Sequence, residues 1–299
     1  MKKLLFFINP NAGHSGIRTN LLDVLQIFCG GDYDVRVHIT AAPREITRIL
    51  MEEGDNYDLV VSAGGDGTLN ETVAGLMELN RPPVLGYIPA GTVNDVASSL
   101  GLSLDAVESA RNIVCGEEMT LDIGSFNGRP FTYVAAFGAF TDVAYATPQD
   151  AKKALGRLAY LLQGVKALGE IKPIHAKVTA DGIAEEGDFI FGMIASTKSV
   201  GGFRPKSVRE MNISLNDGLS EVVFVRDIKN LLEFNDVATL ALRMDFTDQR
   251  RFLSFQSNEV RVEFDSEVAW TLDGEDGGSC RAALIRNHNC ALRIMVPRE

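Results

Sequence analysis

The sequence predicts an α/β + β fold, a parallel-sheet α/β domain over residues 1–120 followed by an antiparallel β domain over residues 121–290. Two patterns carry this prediction. Up to about Met119, short apolar runs alternate with helical periodicity, which implies a parallel sheet covered by helices. Beyond it, period-two alternation takes over, the mark of antiparallel strands with one buried face. With 299 residues, 45% hydrophobic and 23% charged, the chain is long enough for two cores and ordinary for a globular protein.

Leu4–Ile8 is the first apolar run, too short for a secretory signal and better read as a buried strand. A helix over about Ile17–Phe28, a strand over Asp34–Ile39 and a helix over about Pro43–Glu53 follow, then the strand Asp58–Val61. Leu69, Val73, Leu76 and Met77 recur at helical spacing, and Val84–Ile88 forms another strand. In the second part, alternation marks strands at Phe131–Ala135, Ile174–Thr179, Phe189–Ala195, Glu221–Val225 and Val260–Asp265. Two amphipathic helices interrupt them, over about Pro148–Leu168 and Ile228–Met244, and core packing is the default reading of both.

Bulk properties exclude several functions. The net charge of −11 argues against nonspecific nucleic-acid binding and against attraction of the whole molecule to anionic membranes. No apolar run reaches the roughly 18 residues of a membrane helix. Cys29, Cys115, Cys280 and Cys290 lack zinc or disulfide spacing and fit a reducing cytoplasm. His14, His38, His175 and His288 form no ligand motif and read as surface or satisfied core residues.

The chemistry is expected where parallel strands end. Ser62-Ala63-Gly64-Gly65-Asp66-Gly67-Thr68-Leu69-Asn70-Glu71 joins a strand to a helix, and its glycines leave backbone N–H groups uncovered. Asp66 is awkward in an anion cradle lacking the P-loop lysine. Its carboxylate either holds Mg2+, accepts a proton or locks the loop; the plain alternative is a helix cap. Asn9-Pro10-Asn11-Ala12-Gly13 and Gly91-Thr92-Val93-Asn94-Asp95 are two further polar loops that open into helices. Thr40 serves either a ligand or, more simply, the cap of the next helix. Leu272-Asp273-Gly274-Glu275 reads either as an acidic hairpin turn or as a pair of working carboxylates.

These motifs, together with Asn216-Asp217-Gly218-Leu219, appear in the order found in soluble diacylglycerol kinase-like lipid kinases, and the chain resembles that family over its whole length. The resemblance implies a nucleotide-binding α/β domain and a β-sandwich domain with a cleft between them, residues 291–299 returning to the first. It implies ATP against Asn9, Pro10, Asn11, Ala12, Gly13, Thr40, Gly65, Asp66, Gly67, Thr68, Leu69, Asn70, Glu71, Thr92 and Asn94, with Mg2+ near Asp66 and Asp95. Glu275 would be the proton acceptor, assisted by Asp273, with Asp66 completing the catalytic set. Asp217 with carbonyls near Ser214 and Leu219 would form a structural Mg2+ site. There the sequence departs from the family, because Lys198–Lys206 carries fewer glycines than usual; Lys198, Arg204, Lys206 and Arg209 make this segment locally basic.

The expected activity is ATP-dependent phosphorylation of a lipid hydroxyl, with diacylglycerol or a relative as substrate. The implied setting is the cytoplasm, with transient peripheral contact at the inner membrane face and a bare β edge suited to a homodimer. NAD kinases and phosphofructokinase-like enzymes share Gly-Gly-Asp-Gly and are the alternative, as is a nucleotide-binding protein without turnover.

Overall fold

The computed structural model describes residues 1–12, 16–92, 94–138, 172–196, 216–243 and 245–298. The chain forms two compact units, Met1–Ile123 with Asn289–Glu299, and Gly124–His288. The expected helix over Pro148–Leu168, the basic segment from Lys198 to Arg209, and Gly13 and Ser214 lie outside the described residues.

The first unit runs β1 (Lys2–Ile8), α1 (Ile17–Gly30), β2 (Tyr33–Ile39), α2 (Glu45–Glu53), β3 (Leu59–Gly64), α3 (Asp66–Met77), β4 (Val84–Pro89), α4 (Asp95–Leu100) and α5 (Ala106–Cys115). Its strands lie parallel in the order β2-β1-β3-β4. The end of the last strand, β13 (Glu275–Val296), joins β4 in parallel with Ile294 opposite Leu85. Every residue of β3 and β4 is buried, as expected where helices cover both faces. On one face Phe6, Val61 and Ile88 pack against Val24 and Phe28 of α1 and Ala110 and Ile113 of α5. On the other, the Thr72 hydroxyl of α3 donates to Ser62 Oγ at 3.0 Å.

The strand expected over Asp58–Val61 extends to Gly64, because Ser62 and Ala63 still pair with Phe7 and Ile8 and stay buried. The glycines therefore form no open loop. Gly64 closes the strand, Gly65 is the single linker, and Gly67 already lies in α3.

The second unit holds β6 (Arg129–Phe131), β7 (Val134–Gly138), β8 (Ile174–Ala180), β9 (Ile183–Ala195), β10 (Ser220–Arg226), α6 (Leu231–Leu242), β11 (Phe252–Ser257) and β12 (Glu259–Leu272), and shares β5 (Glu117–Phe126) and β13 with the first. Its pairings are antiparallel. Both β9 and β12 pair with β7 along one half and with β8 along the other. Two layers therefore close around a core of Phe126, Phe137, Phe189, Phe224, Phe264 and Trp270. The outer face of β9 and β10 is covered by α6 through Val237. α6 is shorter at both ends than the stretch Ile228–Met244 expected from periodicity, since Asn230 caps its start by accepting from the Glu233 N–H.

At the open end of the β8–β9 hairpin, His175 Nδ1 lies 2.8 Å from Asp188 Oδ1 and Nε2 lies 3.3 Å from Glu186 Oε1. With a carboxylate at each nitrogen, Asp188 foremost, the imidazolium is favoured and its pKa rises above the ordinary 6.5. A raised pKa in the fold stabilises fully below the unfolded value and is lost as pH climbs through the folded one. We expect His175→Asn to remove a stability decline that sets in as pH rises past the ordinary histidine value of 6.5. Urea midpoints measured on both sides of that value test this, and parallel declines in both proteins would refute it.

Candidate active site

Three βα junctions of the first unit are wired together. Asn9 N–H donates to the Ala63 carbonyl at 2.9 Å, and its Nδ2 donates to Thr68 Oγ1 at 2.9 Å, tying the end of β1 to the first turn of α3. The junctions after β3 and β4 meet backbone to backbone. A Cβ on Gly91 would stand 2.6 Å from Gly65 Cα, so neither position has room for a larger residue without the chains moving apart. Ala90 N–H donates to the Gly64 carbonyl at 2.7 Å across the same junction.

Asn94 locks this meeting point. Its left-handed backbone (φ 53°), which Asn tolerates better than most residues, turns its N–H onto Asp66 Oδ2 at 2.9 Å. Its side chain accepts from Gly91 N–H at 2.9 Å and donates to Gly91 O at 2.8 Å. The buried Tyr87 hydroxyl donates to Gly64 O at 3.2 Å and reaches Asn94 Oδ1 at 3.4 Å. Burial, then the nearby Asp66 and Asp95 carboxylates, push its pKa well up, so it stays a neutral donor. Nothing in the sequence marks Tyr87, which reads simply as a core aromatic in a strand. Both carboxylates act on this one hydroxyl, which sets Asp66 and Asp95 in the neighbourhood of Tyr87.

Beside the wired junctions lies a cavity of about 180 Å³, lined by Asn9, Asn11, Thr40, Ala41, Ala42, Pro43, Ile46, Thr68 and Glu71. Five residues expected at the nucleotide, Asn9, Asn11, Thr40, Thr68 and Glu71, are thus brought to one pocket. Its mixed polar and apolar lining suits a small ligand. Of the other expected residues, Leu69 is buried in the core and offers only its backbone. Thr40 caps nothing, contrary to its simpler sequence reading: α2 begins only at Glu45, and the Thr40 hydroxyl donates to the Ile8 carbonyl at 3.4 Å, while Glu45 Oε2 accepts from Ala41 and Ala42 N–H at 2.7 and 3.3 Å. Those bonds, Ala41 first, hold the Glu45 carboxyl below its ordinary range.

Asp66 and Asp95 are hard oxygen donors, the chemistry that suits Mg2+. Two carboxylates fit this ion, which keeps several of its waters. Among the described residues no group of three or more His, Cys, Asp and Glu is arranged to hold a metal by itself. In the second unit, Asp217 Oδ1 accepts from the Leu219 N–H at 3.0 Å across Gly218, whose φ is 80°. The turn expected to hold a structural ion is thus formed.

Asp273 and Gly274 have φ of 53° and 83°, and Leu272 pairs with Glu275, so they form a tight two-residue hairpin between β12 and β13. The plain hairpin reading of the sequence is correct, and so is more. The buried Asp273 carboxylate accepts from Thr132 N–H and Oγ1 at 2.6 and 2.8 Å, Tyr133 N–H at 2.9 Å and Val134 N–H at 3.0 Å. This is why the strand expected over Phe131–Ala135 breaks into β6 and β7: the intervening amides turn inward to the carboxylate. Burial drives its carboxyl above the ordinary range, while the donors oppose this. Three N–H groups have no use for an acid proton, so we read it as ionised at neutral pH. Asp273 is therefore a clamp with both oxygens engaged, in place of the metal- or water-placing role expected for it. Glu275, two residues on, is exposed.

The clamp makes a direct prediction. In Asp273→Asn an amide NH2 must face one or more of those donors, and we expect a loss of roughly 2 to 4 kcal/mol in urea unfolding. A loss below about 0.5 kcal/mol would show that the bonds carry no weight.

Residues 3–126 match the family described as the diacylglycerol kinase catalytic domain. Residues 135–296 match the YegS C-terminal NAD kinase beta sandwich-like domain. A protein named diacylglycerol kinase from Bacillus subtilis (strain 168) is 33% identical over 301 residues, covering 100% of this chain and 98% of its own. Another of that name from Staphylococcus aureus (strain MRSA252) is 32% identical, covering 100% and 93%. The crystal structure of a diacylglycerol kinase from Bacillus anthracis superposes with a TM-score of 0.75 at 20% identity, covering 99% of this chain and 97% of that one. A second chain from that organism reaches 0.84 at 22% identity, with the same coverage. The fold is therefore the two-domain arrangement of a kinase catalytic domain and a β-sandwich-like domain, and the chain belongs to the diacylglycerol kinase family of lipid kinases.

Proposed function

We propose that the protein transfers the γ-phosphate of ATP to the hydroxyl of diacylglycerol or a closely related lipid, with the nucleotide in the Asn9–Thr68–Glu71 cavity and Glu275 as the base. The observation that supports this reading best is the pairing of a buried, fully bonded Asp273 with an exposed Glu275 on one locked hairpin. A base must reach substrate and hold its direction, and the hairpin provides both.

Asn9, Asn11, Thr40 and Thr68 orient the nucleotide, while Ala41, Ala42, Pro43 and Ile46 exclude water from one side of it. Bound Mg2+, held by Asp66 and Asp95, would neutralise charge on the triphosphate. Glu275 takes the proton of the lipid hydroxyl as its oxygen forms the bond to the γ-phosphorus, and ADP leaves with the electrons of the broken P–O bond. The reading requires the first unit to hold the nucleotide and Glu275 to act on the lipid hydroxyl. A lipid acceptor also requires peripheral contact with a membrane, at the cytoplasmic face where ATP is found. No helix among the described residues is long and apolar enough to cross it. An oxygen site for a structural Mg2+ at Asp217 and Leu219, and a homodimer through an open β edge, belong to the same reading.

Labelled ATP with diacylglycerol in mixed micelles tests the activity, and transfer to NAD with none to lipid would favour a water-soluble acceptor instead. We expect Glu275→Gln to lower kcat by about 10²- to 10⁴-fold with ATP binding unchanged; turnover near wild type would remove Glu275 from the base role. Asp66→Asn is expected to raise the Mg2+ concentration giving half-maximal rate by about tenfold or more. An unaltered Mg2+ dependence would place the metal elsewhere.

A further inference from the structure

We propose that Arg18 is a further phosphate-binding residue of the nucleotide pocket, supplying positive charge that the pocket walls lack; the inference rests on the kinase reading above. Of the described residues lining the cavity, only Glu71 is charged, and it is an acid. Asp66 and Asp95 add two more carboxylates to the same junctions. A triphosphate carries several negative charges, and a divalent cation offsets only part of them.

Over residues 9–12, the described part of the first loop, the backbone does not make up the difference. The Asn9 N–H is taken by the Ala63 carbonyl, the Asn11 N–H by Asn9 Oδ1 at 2.9 Å, and the Ala12 N–H by the Asn9 carbonyl at 3.3 Å. Pro10 has no N–H. Across residues 9–12 the loop is held in shape by its own amides, which are spent on that shape and point to no ligand.

Arg18 is the second residue of α1 and is exposed. Its Nη2 donates to the carbonyl of Pro10, which ties the guanidinium to the loop whose Asn9 and Asn11 line the cavity, although Arg18 itself is not part of that lining. One N–H suffices for that carbonyl, and a guanidinium has five, in a planar fork that matches phosphate oxygens. The Pro10 bond removes rotamer freedom before any ligand arrives, so less is lost when phosphate binds. The plain alternative is that Arg18 only ties α1 to the loop.

Calorimetric titration of the full chain with ATP, ADP and adenosine, without lipid, separates the two. Arg18→Gln retains a neutral donor for Pro10 and removes the charge, and Arg18→Lys keeps the charge and loses the fork. We expect Arg18→Gln to weaken ATP by about 10- to 100-fold and to leave adenosine within about twofold, with Arg18→Lys in between. The fall of ATP affinity with salt should also flatten in Arg18→Gln. Equal losses for ATP and adenosine, or unchanged ATP affinity and salt slope, would overturn the assignment. If the wild-type chain bound no ATP at all, the kinase reading itself would fall, and this inference with it.

Discussion

Two glycines touch where β3 and β4 give way to their helices, and the first unit's site is arranged about that contact. Because Gly65 and Gly91 leave room for each other's backbone, Ala90 can bond Gly64, Asn94 can turn its N–H to Asp66, and Tyr87 can reach both junctions. A methyl group at either position would push the junctions apart by a few tenths of an ångström or more. Asp66 and Asp95 would then no longer share one neighbourhood. Glycine serves here through the absence of a side chain; neither residue needs a positive φ.

The site so formed is acidic, in a chain that is acidic throughout. Its carboxylates are kept apart in role by their surroundings. Asp66 is oriented by one backbone N–H, Glu71 lines an open cavity, and Asp273 is saturated by donors in a buried break between strands. Carboxylates thereby become a junction lock, a cavity wall and a structural clamp. A neutral Tyr87 beside two of them donates a hydrogen bond without adding charge.

Much of this was legible in the sequence, for physical reasons. Buried parallel strands must be apolar on both faces, so β1, β3 and β4 announce themselves, and polar glycine-bearing stretches after them mark the ligand side of the sheet. What the pattern missed depends on distant partners. No local rule tells that Phe131–Ala135 is broken, because the cause is a carboxylate some 140 positions later. α5 was not foreseen, and neither was the full run of β13, whose Glu-Asp-Gly-Gly-Ser start lacks alternation. Between the two readings of Thr40, the cap fails because α2 begins only at Glu45, with Arg44 before it, a distance the strand-end pattern does not reveal. Arg18 looked like any exposed residue of an amphipathic helix.

The Asp273-Gly274 hairpin has one more consequence, for chemical ageing. Asp-Gly is a frail pair, since the amide that follows can attack the carboxyl carbon past an unhindered glycine and leave the chain rerouted through the side chain. In the folded protein the Asp273 carboxylate is held by four donors on another part of the chain, away from that attack. Only unfolding releases it. The hairpin that carries the proposed base is thus preserved by the fold it helps to hold, and each excursion to the unfolded state exposes it to permanent damage.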